Sequence, residues 1–443
     1  SPSRLPRVCA LPPMSPLHAA WSDFRDAARA FSRPARTYLL SEFLMWTAHG
    51  MFGVLFNLYL VEAGYGEGFI GRAISINGLG LALAALPAGL LSDRWGRRRS
   101  LMLGAALEAV GHILRASTTH PGLILGSGFV VGAGQSLFQI SAAPFLTEHS
   151  TPRERTHLFS TFFACSLLAG VLGSMVGGAL PHLFGALAPG LGLFLSYRIT
   201  LVIGALVALA ATLPLLTLRG LVEARLTHEH HGVTPADRAK LVPIGVNGLL
   251  IGMGAGLVIP FMNLYFRNRF RCSSADIGLY FGLAQVCTAA ASLLGPALAQ
   301  RFGKLRTAVA AELLSLPFLV TLGAEHRLGV AVVSFWLRAT FMQGSTPLLN
   351  AFIMENVPPA LRARSTSLTN LLWNLGWATS ATLAGAIIER FGYATPFYCT
   401  AVLYLTAALT FGWAFRHAAD PHTSAQRPSE EATGLRGDGA ASE

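Results

Sequence analysis

Between two apolar runs stands the charged stretch Gly89-Leu-Leu-Ser-Asp93-Arg94-Trp-Gly96-Arg97-Arg98-Arg99. The upstream run, Ile74–Leu91, contains no charged residue, and the downstream run from Leu101 to Leu114 is largely apolar. The stretch holds four arginines and one aspartate, and charged side chains inside hydrocarbon are costly. The pattern therefore predicts a tight loop at one face of a membrane.

The composition is also typical of a membrane protein. Hydrophobic residues make up 52% of the 443 residues and charged residues only 12%, whereas a soluble domain carries about a quarter charged residues. The net charge of +11 would also suit a nucleic-acid partner. However, the arginines fall in loops between apolar runs and form no basic face interleaved with aromatic residues. We therefore expect a lipid bilayer, and no nucleic acid, as partner.

Twelve predominantly apolar runs are long enough to cross a bilayer, for which about 20 residues are needed. They are apolar nearly all round, with small residues such as Gly78, Gly128 and Gly132 spaced for close helix contact. The sequence thus predicts an all-α integral membrane protein with twelve transmembrane helices. The runs lie at about 37–61, 70–91, 100–118, 122–146, 158–180, 197–218, 242–266, 276–299, 304–323, 328–354, 365–388 and 394–416.

Polar segments divide the chain into five predicted parts. Leu17–Phe31, in the N-terminal segment, is expected to form an amphipathic helix on the membrane surface. The C-terminal tail is rich in Asp, Glu, Ser, Pro and Gly and is expected to be disordered. The parts are a cytoplasmic N-terminal segment 1–36, a six-helix bundle 37–218, a cytoplasmic central loop 219–241, a second six-helix bundle 242–416 and a cytoplasmic tail 417–443.

The distribution of Lys and Arg predicts the orientation. Fifteen lie in interhelical loops on the side of Asp93 and six on the opposite side. By the positive-inside rule, the Asp93 loop and both termini are cytoplasmic, in an inner cell membrane of bacterial type. The loop after the seventh run is an exception. Its Arg267, Arg269 and Arg271 form either an anion-attracting rim or plain solvated charge.

The two halves repeat each other at nearly fixed spacing. Equivalent loop ends match at an offset of 207, and the first helix of each half matches at an offset of 206. Since six helices return the chain to the same side, the halves are parallel repeats related by an axis along the membrane normal. The matched pairs are Arg94 with Arg301, Gly96 with Gly303, Arg97 with Lys304, Glu148 with Glu355, Arg155 with Arg362, and Asn57 with Asn263.

The motif Gly-x3-Asp-Arg-x-Gly-Arg-Arg resembles the loop between helices 2 and 3 of the major facilitator superfamily of secondary transporters. The resemblance covers about 37–416 and implies two six-helix bundles that rock about a substrate site near the midplane. In the second half, Gln300 replaces the aspartate and Pro296 the first glycine. The residues of the complete motif, expected to form a conformational latch, are Gly89, Asp93, Arg94, Gly96, Arg97 and Arg98.

The resemblance also implies contacts for these loops. In the family the aspartate lies against the start of helix 11, here near Ser365, where a carboxylate is stabilised by roughly 0.3–1 kcal/mol. Such a contact forms only when the cytoplasmic side is closed, so Asp93 is expected to stabilise that state. The charge pairs expected in the cytoplasmic loops involve Glu148, Arg155, Glu355 and Arg362.

A stretch on the fifth run resembles the antiporter motif of drug–proton exchangers. It reads Gly173-Ser-Met-Val-Gly177-Gly178, where those proteins have Gly-Pro-x-x-Gly-Gly. Ser174 replaces the proline and Ala169 a preceding glycine, and the fourth run lacks the arginine that many drug exchangers carry. The alternative is that these small residues serve helix packing.

Ionisable and amide side chains inside the predicted helices are candidates for the transport pathway, since each is costly without a partner or water. In the family, helices 1, 4, 7 and 10 line the cavity, which implies that Glu42, His49 and Arg338 are better candidates than Glu108 or Glu312. The candidates for the substrate or proton pathway are Glu42, His49, Asn57, Gln135, Gln139, Asn263, Arg338, Gln343 and Trp373.

Each of the three charged candidates has an alternative. His49 either exchanges a proton near neutral pH or is a buried neutral imidazole bonded to a carbonyl. Glu42 either faces the pathway or extends to water at the cytoplasmic end. Arg338 either contacts the substrate or a counter-ion, or forms a structural ion pair with a carboxylate such as Glu312.

The sequence contains no arrangement of a nucleophile and base, no metal-ligand spacing and no phosphate loop that points to an enzyme. We therefore expect neither a catalytic site, nor a cofactor, nor a metal. The tract His228–His231 is interpreted as part of an exposed linker rather than as a metal site.

We interpret the chain as a monomeric secondary transporter of a small-molecule substrate. Aromatic residues near the candidates, such as Trp46 and Trp377, favour proton-linked efflux of an amphipathic compound. The alternatives are uptake or facilitated transport of a polar metabolite such as a sugar, and a transport-dead receptor or scaffold that keeps the fold.

Overall fold

The computed structural model describes residues 31–218 and 235–416. The helix expected at 17–31, apart from Phe31, lies outside the described residues, and so do the tract at 228–231 and the tail at 417–443. Within the described ranges the chain forms twelve long helices and no strand, six before the central loop and six after it.

The first half contains helices α1 to α6 and the second half α7 to α12. The first six are α1 Arg33–Glu62, α2 Glu67–Trp95, α3 Arg97–Ser117, α4 Pro121–Glu148, α5 Pro152–Leu187 and α6, which runs as Leu193–Ala210 and Thr212–Leu216. The second six are α7, which runs as Pro235–Val258, a 3₁₀ turn Ile259–Phe261 and Met262–Phe270, then α8 Ser274–Phe302, α9 Lys304–Ala324, α10 Leu328–Asn356, α11 Pro359–Phe391 and α12 Ala394–Ala414.

Each predicted apolar run coincides with one of these helices, but most helices are longer than the runs. The fifth run was predicted from 158, whereas α5 begins at Pro152. There the side chain of Glu154 accepts a hydrogen bond of 2.9 Å from the backbone N–H of Thr151 and so stabilises the start of the helix. Hydropathy marks only the part of a helix that lies in hydrocarbon, and the capped ends extend into the polar interface.

Nine of the described helices are both long and apolar enough to cross a membrane. α8 is a tenth if the two parts on either side of its 40° bend form one span. The other two, α3 and α10, are of membrane length, but they carry ionisable or amide side chains along their length. These polar groups must find partners or water inside the bundle.

The two halves repeat each other in backbone geometry as well as in sequence. Gly96 joins α2 to α3 with φ 94° and ψ 154°, and Gly303 joins α8 to α9 with φ 86° and ψ 150°. Glycine adopts this region readily because it has no Cβ, whereas other residues are strained there. The offset of 207 seen in the sequence is therefore also an equivalence of structure.

The ion pairs that hold these loops are repeated too. Nε of Arg97, at the start of α3, lies 3.4 Å from Oε1 of Glu148, at the end of α4. The equivalent residues Lys304 and Glu355 form the same pair between α9 and α10. Each half thus fastens its second loop to the end of its fourth helix.

The two loop arginines have partners other than those expected. Arg155 donates to the carbonyl oxygen of Ser150 at 3.2 Å, and Arg362 donates to that of Val357 at 3.4 Å. Of the residues expected in charge pairs, Glu148 and Glu355 thus pair with Arg97 and Lys304, whereas the two arginines bind carbonyls. The reason is that carbonyls beyond a helix end need donors, and the arginines supply them, while the glutamates face the neighbouring helix.

The bundle has two ends. We call the end that carries Trp95, Glu148, Phe302 and Asn356 the basic end, and the opposite end the far end. The halves meet mainly along two helix pairs, α2 with α11 and α5 with α8. In both seams the backbones approach closely toward the far end, where small residues allow it.

Two glycines show how close this approach is. A Cβ added at Gly71 would collide with the carbonyl oxygen of Ala381, and one at Gly178 with that of Ser274. The larger side chains found elsewhere in these helices would not fit at either place. The far end is therefore a region of tight contact between the two halves.

The stretch that resembles the antiporter motif lies where α1, α5 and α8 meet. Gly173 packs against the backbone of Thr47 and Gly177 against Met51, both in α1, while Gly178 packs against α8. Helix packing thus accounts for the small residues of this stretch. Membership of the drug–proton exchanger group is not confirmed.

Candidate functional site

Two asparagines join the halves near the far end, and we call this contact the asparagine clasp. Nδ2 of Asn57 donates to the carbonyl oxygen of Pro260 at 2.6 Å and to Oδ1 of Asn263 at 3.1 Å. Nδ2 of Asn263 donates in turn to the carbonyl oxygen of Val54 at 2.9 Å. Both asparagines are buried. In this state their amides are occupied by contacts between α1 and α7, and a role in the pathway stays a prediction.

Charged side chains extend this contact toward the far surface. Nη2 of Arg267 lies 2.9 Å from Oε1 of Glu62 in the other half, so this arginine is not plain solvated charge. Tyr393 donates to Glu67 at 2.9 Å, and Glu389 accepts a backbone N–H from the start of α2 at 2.7 Å. Burial, and then the carboxylate of Glu67, raise the pKa of Tyr393 above its ordinary value, so the hydroxyl remains a donor.

The basic end has a different arrangement. Oδ1 of Asp93 lies 2.6 Å from Nη1 of Arg97, within its own half. The hydroxyl of Ser365, at the place where the family resemblance puts the aspartate, donates to the carbonyl of Arg362 in its own helix. Within the described residues, the hydrogen bonds that join the halves all lie nearer the far end. The latch contact therefore stays a prediction for a state closed at the basic end.

The other residues of the loop motif either hold the loop by hydrogen bonds or have free space around them. Nη1 of Arg97 also donates to the hydroxyl of Ser92 at 2.9 Å, and Nε of Arg98 donates to the carbonyl of Leu215 at 3.2 Å. Arg94 is exposed. A Cβ added at Gly89 would meet nothing within 4 Å.

Several amide side chains among the pathway candidates are exposed or half-buried and make no hydrogen bond among the described residues. Gln139 in α4 and Gln343 in α10 are exposed, and Gln135 is half-buried. An amide inside a membrane helix is costly against lipid and is satisfied by water. Trp373 in α11 is half-buried and stacks on Trp377 with 5.1 Å between the ring centroids.

Glu42 has a closed set of partners. Its carboxylate accepts hydrogen bonds from the hydroxyl of Tyr38 at 2.8 Å, the indole N–H of Trp46 at 2.6 Å and the hydroxyl of Ser166 at 3.1 Å. The residue is only 3% exposed. The expectation that it extends to water is wrong, because three donors from α1 and α5 hold the carboxylate inside the first half.

The structure brings His49 of α1 against Glu108 of α3. Nε2 of His49 lies 2.8 Å from Oε2 of Glu108, a distance at which a protonated imidazole forms an ion pair, although the angle is not that of a hydrogen bond. The carboxylate is fully buried, whereas 18% of the imidazole is exposed. The sequence ranked Glu108 below His49 because the family pattern places helix 3 outside the cavity. The contact shows that the two residues belong to one site.

His112 and Arg115 complete this site. Nδ1 of His112 lies 3.1 Å from Nε and 2.7 Å from Nη2 of Arg115. A guanidinium only donates, so Nδ1 must be the accepting nitrogen, and the hydrogen of the neutral imidazole is assigned to Nε2. Arg115 also lies over the rings of Phe52 and Phe56, at 4.7 and 4.5 Å from their centroids. The spacing of Glu108, His112 and Arg115 on one helix face was the available signal, and their partners on α1 were not predictable from it.

Two imidazoles and a carboxylate are also a ligand set that zinc uses. One ligand atom from each of His49, Glu108 and His112 lies within 4.8 Å of the others. A metal-bound imidazole normally donates its second N–H to an acceptor, but here the second nitrogen of His112 faces the donor Arg115. The free Nε2 therefore carries a hydrogen instead of a lone pair, and the arrangement fits a proton-binding site better than a metal site.

The structure places neither of the partners expected from the sequence close to Arg338. The arginine is 2% exposed, and within the described residues no ion pair joins it to Glu312. Its guanidinium carbon lies 5.9 Å from the ring centroid of Phe335, and it interacts electrostatically with Tyr404 of α12. The structural ion pair with Glu312 is thus not formed.

The sequence has known relatives. The family model of the Major Facilitator Superfamily matches residues 38–245 and 244–439. An uncharacterised MFS-type transporter of Burkholderia mallei (strain SAVP1) is 26% identical over 354 residues, which is 77% of this chain and 82% of that protein. The uncharacterised MFS-type transporter YddS of Bacillus subtilis (strain 168) is 24% identical over 369 residues, which is 79% of this chain and 83% of that protein.

Solved structures of transporters share the fold. The nucleoside transporter NupG, in a mutant form, superposes with a TM-score of 0.72 at 14% identity over 86% of this chain and 100% of that one. A D-xylose–proton symporter superposes with a TM-score of 0.68 at 16% identity over 86% of this chain and 96% of that one. At these identities the likeness concerns the arrangement of helices and not the substrate.

Proposed function

The chain belongs to the major facilitator superfamily, and we propose that it is a monomeric secondary transporter that exports a small amphipathic compound in exchange for protons. It is a multi-pass membrane protein of a family of transporters and not an enzyme. The observation that carries the proton coupling is the contact between His49 and Glu108.

This pair has the properties of a proton-binding site. A proton taken up by Nε2 of His49 is stabilised by the adjacent carboxylate, 2.8 Å away. When His49 is neutral, Arg115 compensates the carboxylate, since the two groups interact electrostatically. The ring of His49 is 18% exposed and Glu108 is fully buried, but both ring nitrogens of His49 are buried, so proton exchange requires local opening around His49. Loading on one side and release on the other, as the halves rock, would couple the proton gradient to transport.

The contacts that close the far end, together with the exposed amide side chains, support one vestibule that opens at the basic end. Gln139 and Gln343 stay satisfied if water fills a space between the halves at the basic end. On the predicted orientation the basic end is cytoplasmic, and the structure is then an inward-facing state. A compound from the cytoplasm and the proton on His49 would be exchanged through this space.

The side chains around the vestibule favour an amphipathic compound. Trp373 and Trp377 offer stacked aromatic surface, and Trp46 adds a ring that lies 5.4 Å from that of His49. A second candidate is uptake of a polar metabolite, which the open amides of Gln139 and Gln343 favour. The two differ in direction and in the class of compound that moves.

Reconstituted protein separates these functions. In proteoliposomes with a pH-sensitive dye inside, a panel of amphipathic dyes and a labelled pentose is offered under a proton gradient. We expect a dye to move with protons in the opposite direction, and His49→Gln to abolish the proton signal. His182→Gln, at an exposed position of α5, is the matched control and should behave as wild type.

Three results would contradict the proposal. An unchanged proton signal in His49→Gln removes the proton role of this residue. Movement of the pentose with protons, but of no dye, favours uptake of a polar metabolite. A folded protein that moves no compound favours a receptor or scaffold.

A further inference from the structure

A buried cation without a partner lies in the second half. Arg338 is ten residues from the far-end start of α10, about 15 Å along the helix and so about half the thickness of the hydrocarbon. Its Nε is buried without a hydrogen-bond partner, and its side chain is 2% exposed. A permanent charge at this depth is unfavourable by several kcal/mol unless an anion compensates it.

The first half provides a matched comparison. Arg115 is also buried, but two of its nitrogens face His112 and its guanidinium lies 4.7 and 4.5 Å from two aromatic ring centroids. Arg338 has one ring, Phe335, at 5.9 Å and no hydrogen bond among the described residues. Burial alone therefore does not explain Arg338, because side chains satisfy the other two buried arginines of the described residues, Arg97 and Arg115.

The groups around Arg338 are polar and come from neighbouring helices. Tyr404 of α12 is 1% exposed and interacts electrostatically both with Arg338 and with Glu312 of α9. α9 packs against α10 and α12, and all three side chains are buried inside the second half. No hydrogen bond within the described ranges joins them. Arg338 and the hydroxyl of Tyr404 thus make no hydrogen bond among the described residues, and the two groups interact electrostatically.

We propose that Arg338 and Tyr404 form the subsite for the carboxylate of the transported compound, which makes that compound an amphipathic organic monoanion. This substrate class rests on the proposed transport function. The planar guanidinium offers parallel N–H donors that match a carboxylate, and the phenol adds a neutral donor. One cation compensates one negative charge, which favours a monoanion over a dianion such as phosphate.

Equilibrium binding to the purified full-length protein in nanodiscs tests the subsite without any proton gradient. The probes are 2-naphthoate and its uncharged analogue 2-naphthamide, and the readouts are the melting temperature and the dissociation constant. We expect naphthoate to bind and to raise the melting temperature, and naphthamide to bind at least about tenfold more weakly, since it lacks the charge-assisted bonds. Arg338→Gln should weaken naphthoate by about tenfold or more and leave naphthamide unchanged.

Three further variants keep the test decisive. Arg327→Gln changes the exposed residue that directly precedes α10 and should bind naphthoate as wild type does. Tyr404→Phe removes only the hydroxyl and should weaken naphthoate by a few fold. Arg338→Met, without ligand, should melt at a higher temperature than wild type because it removes an uncompensated buried charge.

The proposal is overturned if the folded wild type binds naphthoate and naphthamide equally, or binds neither at millimolar concentration. It is also overturned if Arg338→Gln binds naphthoate as well as wild type. A lower melting temperature of ligand-free Arg338→Met would show that a protein group already compensates the arginine. Loss of proton coupling in liposomes with carboxylate-selective binding intact would reject the transport mechanism and leave the subsite standing.

Discussion

Arg115 acts on His112 as a fixed donor, and this contact selects which nitrogen of the imidazole carries the hydrogen. With Nδ1 accepting from the guanidinium at 2.7 Å, Nε2 is left as a donor on the same helix face as Glu108. A proton on Nδ1 of His112 would break its bond to Arg115, whereas His49 has no hydrogen bond to lose. Arg115 is in this sense a positioning residue for the proton-binding pair.

Replacing Arg115 tests this role. Arg115→Gln can accept as well as donate, so it no longer fixes the tautomer of His112, whereas Arg115→Lys still only donates. We expect Gln to change the pH profile of export and Lys to retain it in part. Gln should also lower stability by about 3 kcal/mol, because Glu108 loses its buried cation. The measurements are proteoliposome transport against pH and side-chain nitrogen NMR of labelled histidine; identical profiles for both variants would contradict the role.

For single residues, the sequence predicts which side chains are unusual inside a membrane helix but not which residues they contact. The spacing of Glu108 and His112 puts them on one face of a helix, since four residues make about one turn. Nothing in that spacing identifies His49 as the partner, because the contact depends on how α1 and α3 cross. The same holds for Glu42, whose third donor, Ser166, comes from α5.

At the scale of one loop, the two glycines of the motif differ in whether the backbone conformation requires them. Gly96 has φ 94°, a conformation that strains other residues, whereas a Cβ at Gly89 would meet nothing within 4 Å. We predict that Gly96→Ala lowers stability by roughly 1–3 kcal/mol. Gly89→Ala should stay within about 0.5 kcal/mol of wild type. Thermal unfolding of the two variants in the same detergent checks this, and Gly303→Ala, at the equivalent position, should match Gly96→Ala.

The helices themselves were largely predictable, for a physical reason. Hydrocarbon demands a long apolar helix, so twelve runs and their repeat could be recognised directly from the residues. The helix ends could not, since capping residues such as Glu154 extend α5 beyond its apolar run. The 40° bend of α8 was not predicted either. Loop arginines were assigned to carboxylates because charge is visible in a sequence and free carbonyls are not.

For the whole molecule, the difference between the two ends sets the expected effect of Asp93→Asn. In the present state Asp93 pairs with Arg97, and the carboxylate is 33% exposed, so this ion pair contributes little to stability. The larger effect should fall on the state closed at the basic end, where the family resemblance places Asp93 at the start of α11. We predict that Asp93→Asn shifts the population toward the basic-end-open state and slows transport.

Spin labels on α2 and α11 measure this shift. Labels near the basic end should show longer distances in Asp93→Asn, and labels near the far end shorter or unchanged ones. Asp276→Asn, at the far-end start of α8, is a matched carboxylate control that should leave the basic-end distances as they are. Basic-end distances equal to those of wild type in Asp93→Asn would reject the latch.

The asparagine clasp has a consequence for how the two halves recognise each other. Asn57 donates to the carbonyl of Pro260 and Asn263 to that of Val54, so exchanging the halves exchanges these two contacts. Such an interface is isologous, as in a two-fold dimer, so the two halves can recognise each other directly. Fragments 1–226 and 227–443, produced together as separate chains, should therefore associate and transport. Replacing both asparagines with alanine should prevent their copurification while the unbroken chain still folds.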